Sequence, residues 1–341
     1  MNPLTLSQIA QFAGASLSSG DGTVVINKVS TDSRTIKPGE LFVALRGENF
    51  EGHDFIEAGA KAGATGALVD LNWAGNVPNN FALLRATDTL QAYQTLAANY
   101  RRSLALKVLA ITGSNGKTST KDFAASVLAR RFRVTKTEGN FNNHVGLPRT
   151  ILEATSEDEV AVWEIGMNHP GEIAALSKIA APDAAIITNI GVAHIEFMGS
   201  REAIAAEKGA LAEAIETQGT VILNADDPFS EGIAARTRAK VVSAGTTVEL
   251  CARSKFGRVP TAQSSQSSRA RIVAARNFPL RVRTWCRMHY WPSPRGGHLD
   301  YPSRNVPLAL PRRRSQKRAC KSRKSVACNF STTATTPTRT R

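Results

Sequence analysis

An apolar stretch that runs into a glycine-rich turn constrains this chain more than any other part of it. Residues 108–120 read Val-Leu-Ala-Ile-Thr-Gly-Ser-Asn-Gly-Lys-Thr-Ser-Thr. Glycines let a backbone approach a phosphate closely, the lysine supplies a flexible cation, and the hydroxyl after it can ligate magnesium. The helical spacing after Lys117 aims a helix N-terminus at the same phosphates. We therefore predict a nucleotide-binding loop formed by Gly113, Ser114, Asn115, Gly116, Lys117, Thr118 and Ser119.

The glycine spacing departs from the usual P-loop, which carries a glycine six residues before the lysine. Ile111 stands at that position, and Gly113 and Gly116 are closer together than the usual pair. A chance Gly-Lys-Thr turn is therefore the alternative. The apolar strand before the turn and the helix after it favour the nucleotide-binding loop.

The charge of the chain changes sign near residue 250. Residues 251–341 hold 21 of the 43 basic residues but only one of the 28 acidic residues, Asp300. The net charge of +15 therefore comes from this tail, and residues 1–250 are acidic. The charge does not indicate specific nucleic-acid binding by residues 1–250. Because the tail has no sustained apolar period, we predict that it is disordered.

Two origins fit the composition of the tail. It is either a basic arm that binds polyanions non-specifically, or the product of a wrong reading frame. The unpatterned mixture of Arg, Pro, Ser and Cys favours the wrong frame. All four cysteines lie in the tail, at Cys251, Cys286, Cys320 and Cys328, and no pair has the spacing of a zinc site.

Residues 1–250 have no segment with the ~18 apolar residues of a membrane span. The start of the chain lacks the basic region and apolar run of a signal peptide. A cysteine-free, acidic segment of this kind is typical of the cytoplasm. We expect a cytoplasmic monomer with no membrane partner.

Strands and helices alternate strictly from residue 104 onward, which predicts a parallel sheet with helices on both faces. Residues 1–103 read as a smaller α/β domain. The predicted fold class is α/β, with this N-terminal domain followed by a P-loop domain over 104–250 and then the tail. Ligands of such sheets bind at the carboxyl ends of the strands. Strands of the second domain are predicted at 106–112, 160–165, 184–188, 219–223 and 240–243.

Polar side chains stand where these strands end. Glu164 is placed to hold magnesium beside the loop, although a solvated acid is the alternative. His194 is either a ligand or a purely structural histidine. Lys208, which lies on a predicted helix, is by itself typical of a solvated lysine. Asn224 and Asp227 either contact a base or ribose, or cap the helix that follows.

In this order, the motifs resemble those of the Mur ligase family, the ATP-dependent amide-forming enzymes of peptidoglycan precursor synthesis. The resemblance covers about residues 1–250 and rests on residues 112–118, 164, 189–194 and 224–227. It implies a UDP-substrate-binding domain over 1–103 and an ATP-binding domain over 104–250. It also implies a third, C-terminal domain, whose place is taken by the tail.

Two further segments, 139–148 and 164–172, resemble the family member that joins D-alanyl-D-alanine to UDP-N-acetylmuramoyl-tripeptide through an acyl phosphate. The resemblance implies these two substrates together with ATP. Because the family's third domain contacts the amino substrate and the adenine, we expect an impaired ligase, or an inactive fragment that binds ATP and the UDP-substrate. A folylpolyglutamate synthase has a similar P-loop and is the enzymatic alternative. Such enzymes lack a uridine-binding first domain, which disfavours this alternative.

The resemblance also implies roles for individual residues. Lys117, His194 and Lys208 would be catalytic. Thr118 and Glu164 would hold one magnesium ion, and His194 with a CO2-derived carbamate on Lys208 would hold a second. Asn224 and Asp227 would flank the adenosine. Substrate-binding residues would be Ser33, Arg34, Gly47, His53, Asn140 and Asn143. For Arg34, a local ion pair with Asp32 is the alternative.

Overall fold

Two sheets, each mainly or wholly parallel, organise the part of the chain that the structure describes. The computed structural model describes residues 1–47 and 50–245. The basic tail over 251–341, with its predicted disorder and polyanion binding, lies outside the described residues.

The N-terminal region is a small α/β structure, as the sequence predicts. Its elements are β1 Leu4–Thr5, α1 Leu6–Ala13, β2 Ser16–Ser19, β3 Val25–Ile26, β4 Lys28–Ser30, β5 Glu40–Val43, a 3₁₀ turn at Gly52–Phe55, α2 Ile56–Lys61, β6 Gly66–Asp70, β7 Ala82–Ala86 and α3 Thr89–Ser103. The five-stranded sheet has the order β2-β7-β6-β5-β4, and only β2 runs antiparallel to its neighbour. Strands β1 and β3 form a separate antiparallel pair.

The second sheet carries the predicted nucleotide-binding loop. Its elements are β8 Lys107–Thr112, α4 Lys117–Leu128, β9 Val134–Lys136, α5 Gly146–Glu153, β10 Val160–Glu164, α6 Glu172–Ala180, β11 Ala184–Ile187, α7 Ile195–Met198, α8 Arg201–Glu213, β12 Thr220–Asn224, α9 Ser230–Ala234 and β13 Lys240–Ala244. All six strands are parallel, in the order β13-β12-β11-β8-β10-β9. The predicted α/β fold with a parallel P-loop sheet is therefore confirmed.

The order of the strands opens a crevice beside β8. The chain runs from β8 to β9 and β10 on one side of β8, and then crosses to β11 on the other side. Ligands of open parallel sheets bind where the connections diverge in this way, outside the carboxyl ends of the strands. The predicted loop follows the carboxyl end of β8 and lies at this position.

Apolar side chains cover both faces of the two sheets. In β5, Leu41 and Val43 pack into one buried cluster, and Phe42 packs into another on the opposite face. The Val160–Glu164 and Ala184–Ile187 strands are buried at every position. Strands covered on both faces read as continuous apolar runs, which made these strands predictable.

Helix α3 joins the two sheets into one packed unit. It contacts α1 of the N-terminal region and both α5 and α6 of the second sheet's region. Tyr100, 1% exposed, accepts a hydrogen bond from the Asn2 amide and donates one to the Ala154 carbonyl, each at 2.7 Å. Within the described ranges, no helix is long and apolar enough to cross a membrane.

Candidate nucleotide and metal site

The loop between β8 and α4 has the backbone conformation that requires its glycines. Gly113 has a φ of +147°, and a Cβ added there would lie 1.9 Å from Thr188 Oγ1. Gly116 has a φ of +78° and is the residue before the first turn of α4. Side chains are strained at both positions, which explains the glycines. The predicted strand-loop-helix geometry is thus present.

The residues after β11 hold this loop in shape. The Ser114 amide donates to the Asn189 carbonyl at 2.9 Å, and the Asn115 amide donates to Asn189 Oδ1 at 2.8 Å. Thr188 Oγ1 donates to the Asn115 carbonyl at 2.6 Å, and the Gly191 amide donates to Ser114 Oγ at 2.8 Å. The amides of Ser114 and Asn115 are therefore bonded within the protein.

Within the described residues, the first turn of α4 has no side-chain cap. The residue before it, Gly116, has no side chain, and the helix begins with Lys117, Thr118 and Ser119. The first amides of a helix have no partner within the helix and carry a partial positive charge. Lys117 Nζ folds back onto the Gly113 carbonyl at 3.0 Å. Amides and ammonium together place positive charge at the end of β8, which is the kind of surface that suits an anion.

The Glu164 carboxylate contacts α4 through the hydroxyl of Thr118. Thr118 Oγ1 donates to Glu164 Oε2 at 2.9 Å, and Asn142 Nδ2 donates to Glu164 Oε1 at 2.8 Å. Glu164 is only 2% exposed. The structure therefore brings together the predicted pair of Thr118 and Glu164, and the solvated-acid alternative for Glu164 is wrong.

Sequence reasoning missed Asn142, although it lies inside the segment 139–148 that was singled out. Asn140 and Asn143, which were predicted instead, are exposed. Asn143 Oδ1 accepts from the Gly146 amide at 2.8 Å and so shapes the turn before α5. The side chain that reaches Glu164 depends on how this loop folds over β10, and three nearby asparagines carry no signal that separates them.

Lys208 is among the most deeply buried side chains in the described part of the chain. It lies on α8 and is 1% exposed. Burial, followed by the charge of Lys117, lowers the pKa of Lys208 to about 8. Within residues 1–47 and 50–245, its ammonium makes no hydrogen bond or ion pair. The solvated-lysine alternative is therefore wrong.

His194 precedes the short helix α7 in a left-handed conformation, with a φ of +65°. It is half-buried. Among the described residues, no three His, Cys, Asp or Glu side chains form a group that could hold a metal. The second metal site was predicted from His194 and a carbamylated Lys208, and it stays a prediction.

Asp227 and Asn224 bond to the backbone around the end of β12. Asp227 accepts from the Ile190 amide at 2.5 Å and from the Phe229 amide at 2.9 Å. Asn224 Oδ1 accepts from the Asp226 amide at 3.0 Å. No side-chain cap is formed at Phe229, the residue before α9, so the helix-cap alternative is not shown for Asn224 or Asp227. Asp227 instead ties this loop to the segment after β11. The contact of the two residues with a base or ribose stays a prediction.

The predicted UDP-binding residues of the first sheet differ in exposure. Arg34 forms two hydrogen bonds of 2.9 Å to Asp32, so the local ion pair is present, while the Arg34 side chain as a whole is 86% exposed. These bonds lower the pKa of Asp32. Ser33 is half-buried and Gly47 is exposed.

His53 is buried and bonded on both ring nitrogens. Its Nδ1 lies 2.5 Å from Glu51 Oε1, and its Nε2 accepts from the Asp70 amide at 2.9 Å. This pattern assigns the proton to Nδ1. His53 therefore holds the strand ends together, and its ring nitrogens are not open to a ligand.

A cavity of about 1040 Å³ lies at the opposite edge of the second sheet. Lys107, Asp183, Thr220 and Lys240, at the amino ends of the strands, line it. It is separate from the loop after β8, so the polar groups described above do not belong to it.

Two family models match the chain. The model described as Mur ligase middle domain matches residues 111–282, and the model described as Mur ligase family, catalytic domain, matches residues 25–109. The first match runs past residue 250 into residues that the structure does not describe.

Several curated relatives share one name. The UDP-N-acetylmuramoyl-tripeptide–D-alanyl-D-alanine ligase of Bacillus subtilis is 43% identical over 226 residues, which is 66% of this chain and 49% of that protein. The protein of the same name from Escherichia coli is 39% identical over 227 residues, 67% of this chain and 49% of that protein. The chain spans about half the length of these relatives.

Solved structures of similar proteins lead to the same family. MurF from Acinetobacter baumannii superposes with a TM-score of 0.67 at 35% identity, covering 71% of this chain and 53% of that one. MurF ligase from Thermotoga maritima, solved in complex with ADP, gives a TM-score of 0.59 at 31% identity, covering 65% and 51%. With the family models, the fold and the loop geometry in agreement, this chain belongs to the Mur ligase family.

Proposed function

We propose that this chain is an ATP-dependent ligase that adds D-alanyl-D-alanine to UDP-N-acetylmuramoyl-tripeptide in peptidoglycan precursor synthesis. The names of its relatives support the choice of substrates. The observation that carries the proposal is the contact of the Thr118 hydroxyl with the buried Glu164 carboxylate, beside the first turn of α4. We propose the cytoplasm as its compartment, since ATP is the donor and residues 1–250 contain no cysteine.

The proposed reaction needs ATP because a carboxylate and an amine condense unfavourably in water. The γ-phosphoryl group passes from ATP to the terminal carboxylate, and ADP is released. The amine nitrogen then attacks the acyl carbon, phosphate leaves with the electrons of the broken C–O bond, and the amine loses a proton. Catalysis of such transfers rests mainly on positioning and on charge stabilisation. Lys117 and the first amides of α4 would supply positive charge to the phosphates.

The Thr118 and Glu164 side chains fit a magnesium ion. Both offer oxygen atoms, which Mg²⁺ prefers, and they lie within hydrogen-bond distance of each other. Asn142 fixes the second carboxylate oxygen of Glu164. When bound, the ion would neutralise phosphate charge. We propose that Thr118 and Glu164 hold it.

Lys208 fits the carbamate that the family resemblance implies. CO2 reacts with a neutral amine, and a pKa of about 8 leaves roughly a tenth of the Lys208 side chains neutral at pH 7. We propose that the carbamate would convert this buried cation into an anionic oxygen ligand. His194 would be the neighbouring ligand of a second magnesium ion.

The folylpolyglutamate synthase alternative gains no support. The first sheet is present, and the Mur ligase family model matches residues 25–109 within it. That region is the predicted UDP-binding part, in which the Arg34 side chain, paired with Asp32, is exposed. The five-stranded sheet therefore favours the UDP-linked substrate.

A product assay tests the proposal. We expect the full 341-residue chain to bind Mg-ATP and UDP-N-acetylmuramoyl-tripeptide, but to form pentapeptide at least about 100-fold more slowly than the Bacillus subtilis relative under the same conditions. The reason is that residues 251–341 have one acid and no apolar period with which to hold the amine near the acyl phosphate.

Chromatography of the UDP-linked products, with release of phosphate followed in parallel, gives the rates. Binding of neither ligand would refute the proposed function. A rate equal to that of the relative would show that the tail is tolerated and that the expected impairment is wrong.

A further inference from the structure

A second buried lysine lies one turn beyond the residues proposed to meet the phosphates. Lys121 is 2% exposed and follows Lys117 by four residues and Thr118 by three, so it lies on the same side of α4. Its ammonium donates to the Thr137 carbonyl at 2.7 Å and lies 3.6 Å from Asp122 Oδ1. The proposed reaction makes no direct use of it. Burying an ammonium group costs free energy unless the group is hydrogen-bonded. The position of Lys121, buried against the Thr137 carbonyl, therefore calls for an explanation.

Thr137 connects this ammonium to the backbone of Glu164. Thr137 is fully buried and follows β9. Its amide donates to the Val162 carbonyl at 3.1 Å, its carbonyl accepts from Lys121, and its Oγ1 accepts from the Glu164 amide at 2.9 Å. The backbone groups and the hydroxyl of Thr137 are therefore all in use. The Lys121 ammonium is linked to the Glu164 main chain through this one residue.

The loop that starts at Thr137 returns to Glu164 at Asn142. The Asn142 side chain donates to Glu164 Oε1 at 2.8 Å, and the Asn142 backbone carbonyl accepts from the Gly166 amide at 2.8 Å. The two ends of the loop therefore hold Glu164 at its amide and at its carboxylate. Lys121 fastens the first end to α4, the helix whose Thr118 hydroxyl bonds the remaining carboxylate oxygen.

We propose that Lys121 is a positioning residue for the cation site. Through Thr137, its ammonium sets the position of the Glu164 carboxylate relative to the Thr118 hydroxyl. The inference rests on the proposed function only in that Thr118 and Glu164 are taken to hold Mg²⁺. Nucleotide contacts from Lys117 and from the first turn of α4 do not pass through Thr137. Loss of the ammonium should therefore weaken the response to Mg²⁺ and leave metal-free nucleotide binding nearly unchanged.

Calorimetric titration of the full chain with ADP, in MgCl2 and in EDTA, tests this separation. The quantity compared is the ratio of the two affinities. Lys121→Met should reduce the ratio about tenfold, as expected when a group that orients a metal ligand is removed. Thr137→Val lacks the Oγ1 that accepts from the Glu164 amide, so it should also reduce the ratio about tenfold. Thr137→Ser retains this oxygen and should keep the ratio. The double variant Lys121→Met/Thr137→Val should show no further loss, because both act through one connection.

Arg101→Met is the matched control. Arg101 is also a buried cation that donates to a backbone carbonyl, that of Ala180 at 3.1 Å, but it lies at the other end of the sheet. It should lower the melting temperature and leave the Mg²⁺ ratio unchanged, so a general loss of stability is separated from lost positioning.

The variant Glu164→Gln distinguishes a failure of the positioning role of Lys121 from a failure of the proposed metal site. If Glu164→Gln loses the Mg²⁺ dependence while Lys121→Met and Thr137→Val keep it, the positioning role is overturned and the metal site stands. If Glu164→Gln keeps the dependence, the proposed metal site is wrong and the inference falls with it.

Discussion

Replacing Lys117 by alanine should weaken nucleotide binding by about 10–100-fold, the effect of losing a charge-assisted hydrogen bond to a phosphate. The side chain already points back over the loop, with its ammonium 3.0 Å from the Gly113 carbonyl. It can therefore reach a phosphate held above the first turn of α4 with little rearrangement. Calorimetric titration of the full chain with Mg-ATP measures the loss.

Lys107→Ala is the matched control for this change. Lys107 begins the same strand at the opposite end and pairs with Asp183 at 2.7 Å. We expect this variant to bind Mg-ATP like the parent chain. Equal affinities in Lys117→Ala and in the parent would mean that the loop after β8 does not hold the nucleotide.

Replacing Lys208 by methionine should stabilise the folded chain at pH 7, by about 1–3 kcal/mol. The ammonium is buried without a hydrogen bond or ion pair among the described residues, so folding carries the cost of removing it from water. Methionine has a similar length and no charge. Chemical denaturation in CO2-free buffer measures the gain, because a carbamate would change the charge of the parent side chain.

The gain should depend on pH in a defined direction. The folded-state pKa of Lys208 is about 8, below the value of about 10.4 in an unfolded chain. Below pH 8 both states are charged and the full cost is present. Between pH 8 and about 10.4 the folded state loses its proton first, so the cost declines, and above this range it is absent. The advantage of Lys208→Met should therefore be largest below pH 8 and disappear near pH 10.5.

Lys121→Met provides the contrast, because Lys121 is equally buried but bonded. Its loss leaves the buried Thr137 carbonyl without its partner, which costs about 1–3 kcal/mol. We expect this variant to be destabilised at pH 7. A destabilised Lys208→Met, or a gain that does not change between pH 7 and pH 10, would contradict the assignment of Lys208 as an uncompensated buried cation.

The elements around the loop were predictable because their signals are local. The apolar run before Gly113, the glycines and the lysine all lie within one segment, and both strands buried on two faces are continuous apolar runs. Strand β9 of the second sheet was not predicted. Val134–Lys136 has only three residues, so it shows no usable pattern.

The sequence carries a signal for the burial of Lys208 and Lys121. On α8, Lys208 lies four residues after Ile204 and three before Leu211, which are both buried. On α4, Lys121 precedes the buried Ala124 and Leu128 at the same kind of spacing. A lysine inside an apolar stripe of period 3.6 should be read as buried.

Contacts between distant segments could not be read from the sequence. Asn142 meets Glu164 only because the loop after β9 folds over the end of β10. Asp227 meets the Ile190 amide because β11 and β12 are neighbours in the sheet. Each pair depends on the order and register of the strands, which residue spacing along the chain does not specify.

Crystals of the full chain grown with ADP and Mn²⁺ in place of Mg²⁺ test the central claim most directly. The claim is that Thr118 and Glu164 hold the cation beside a nucleotide on the loop after β8. An anomalous difference map should show a peak at direct ligand distance, about 2.0–2.3 Å, from Thr118 Oγ1 and from a Glu164 carboxylate oxygen. ADP bound at this loop with the Mn²⁺ peak away from both side chains, or ADP bound elsewhere on the chain, would contradict it.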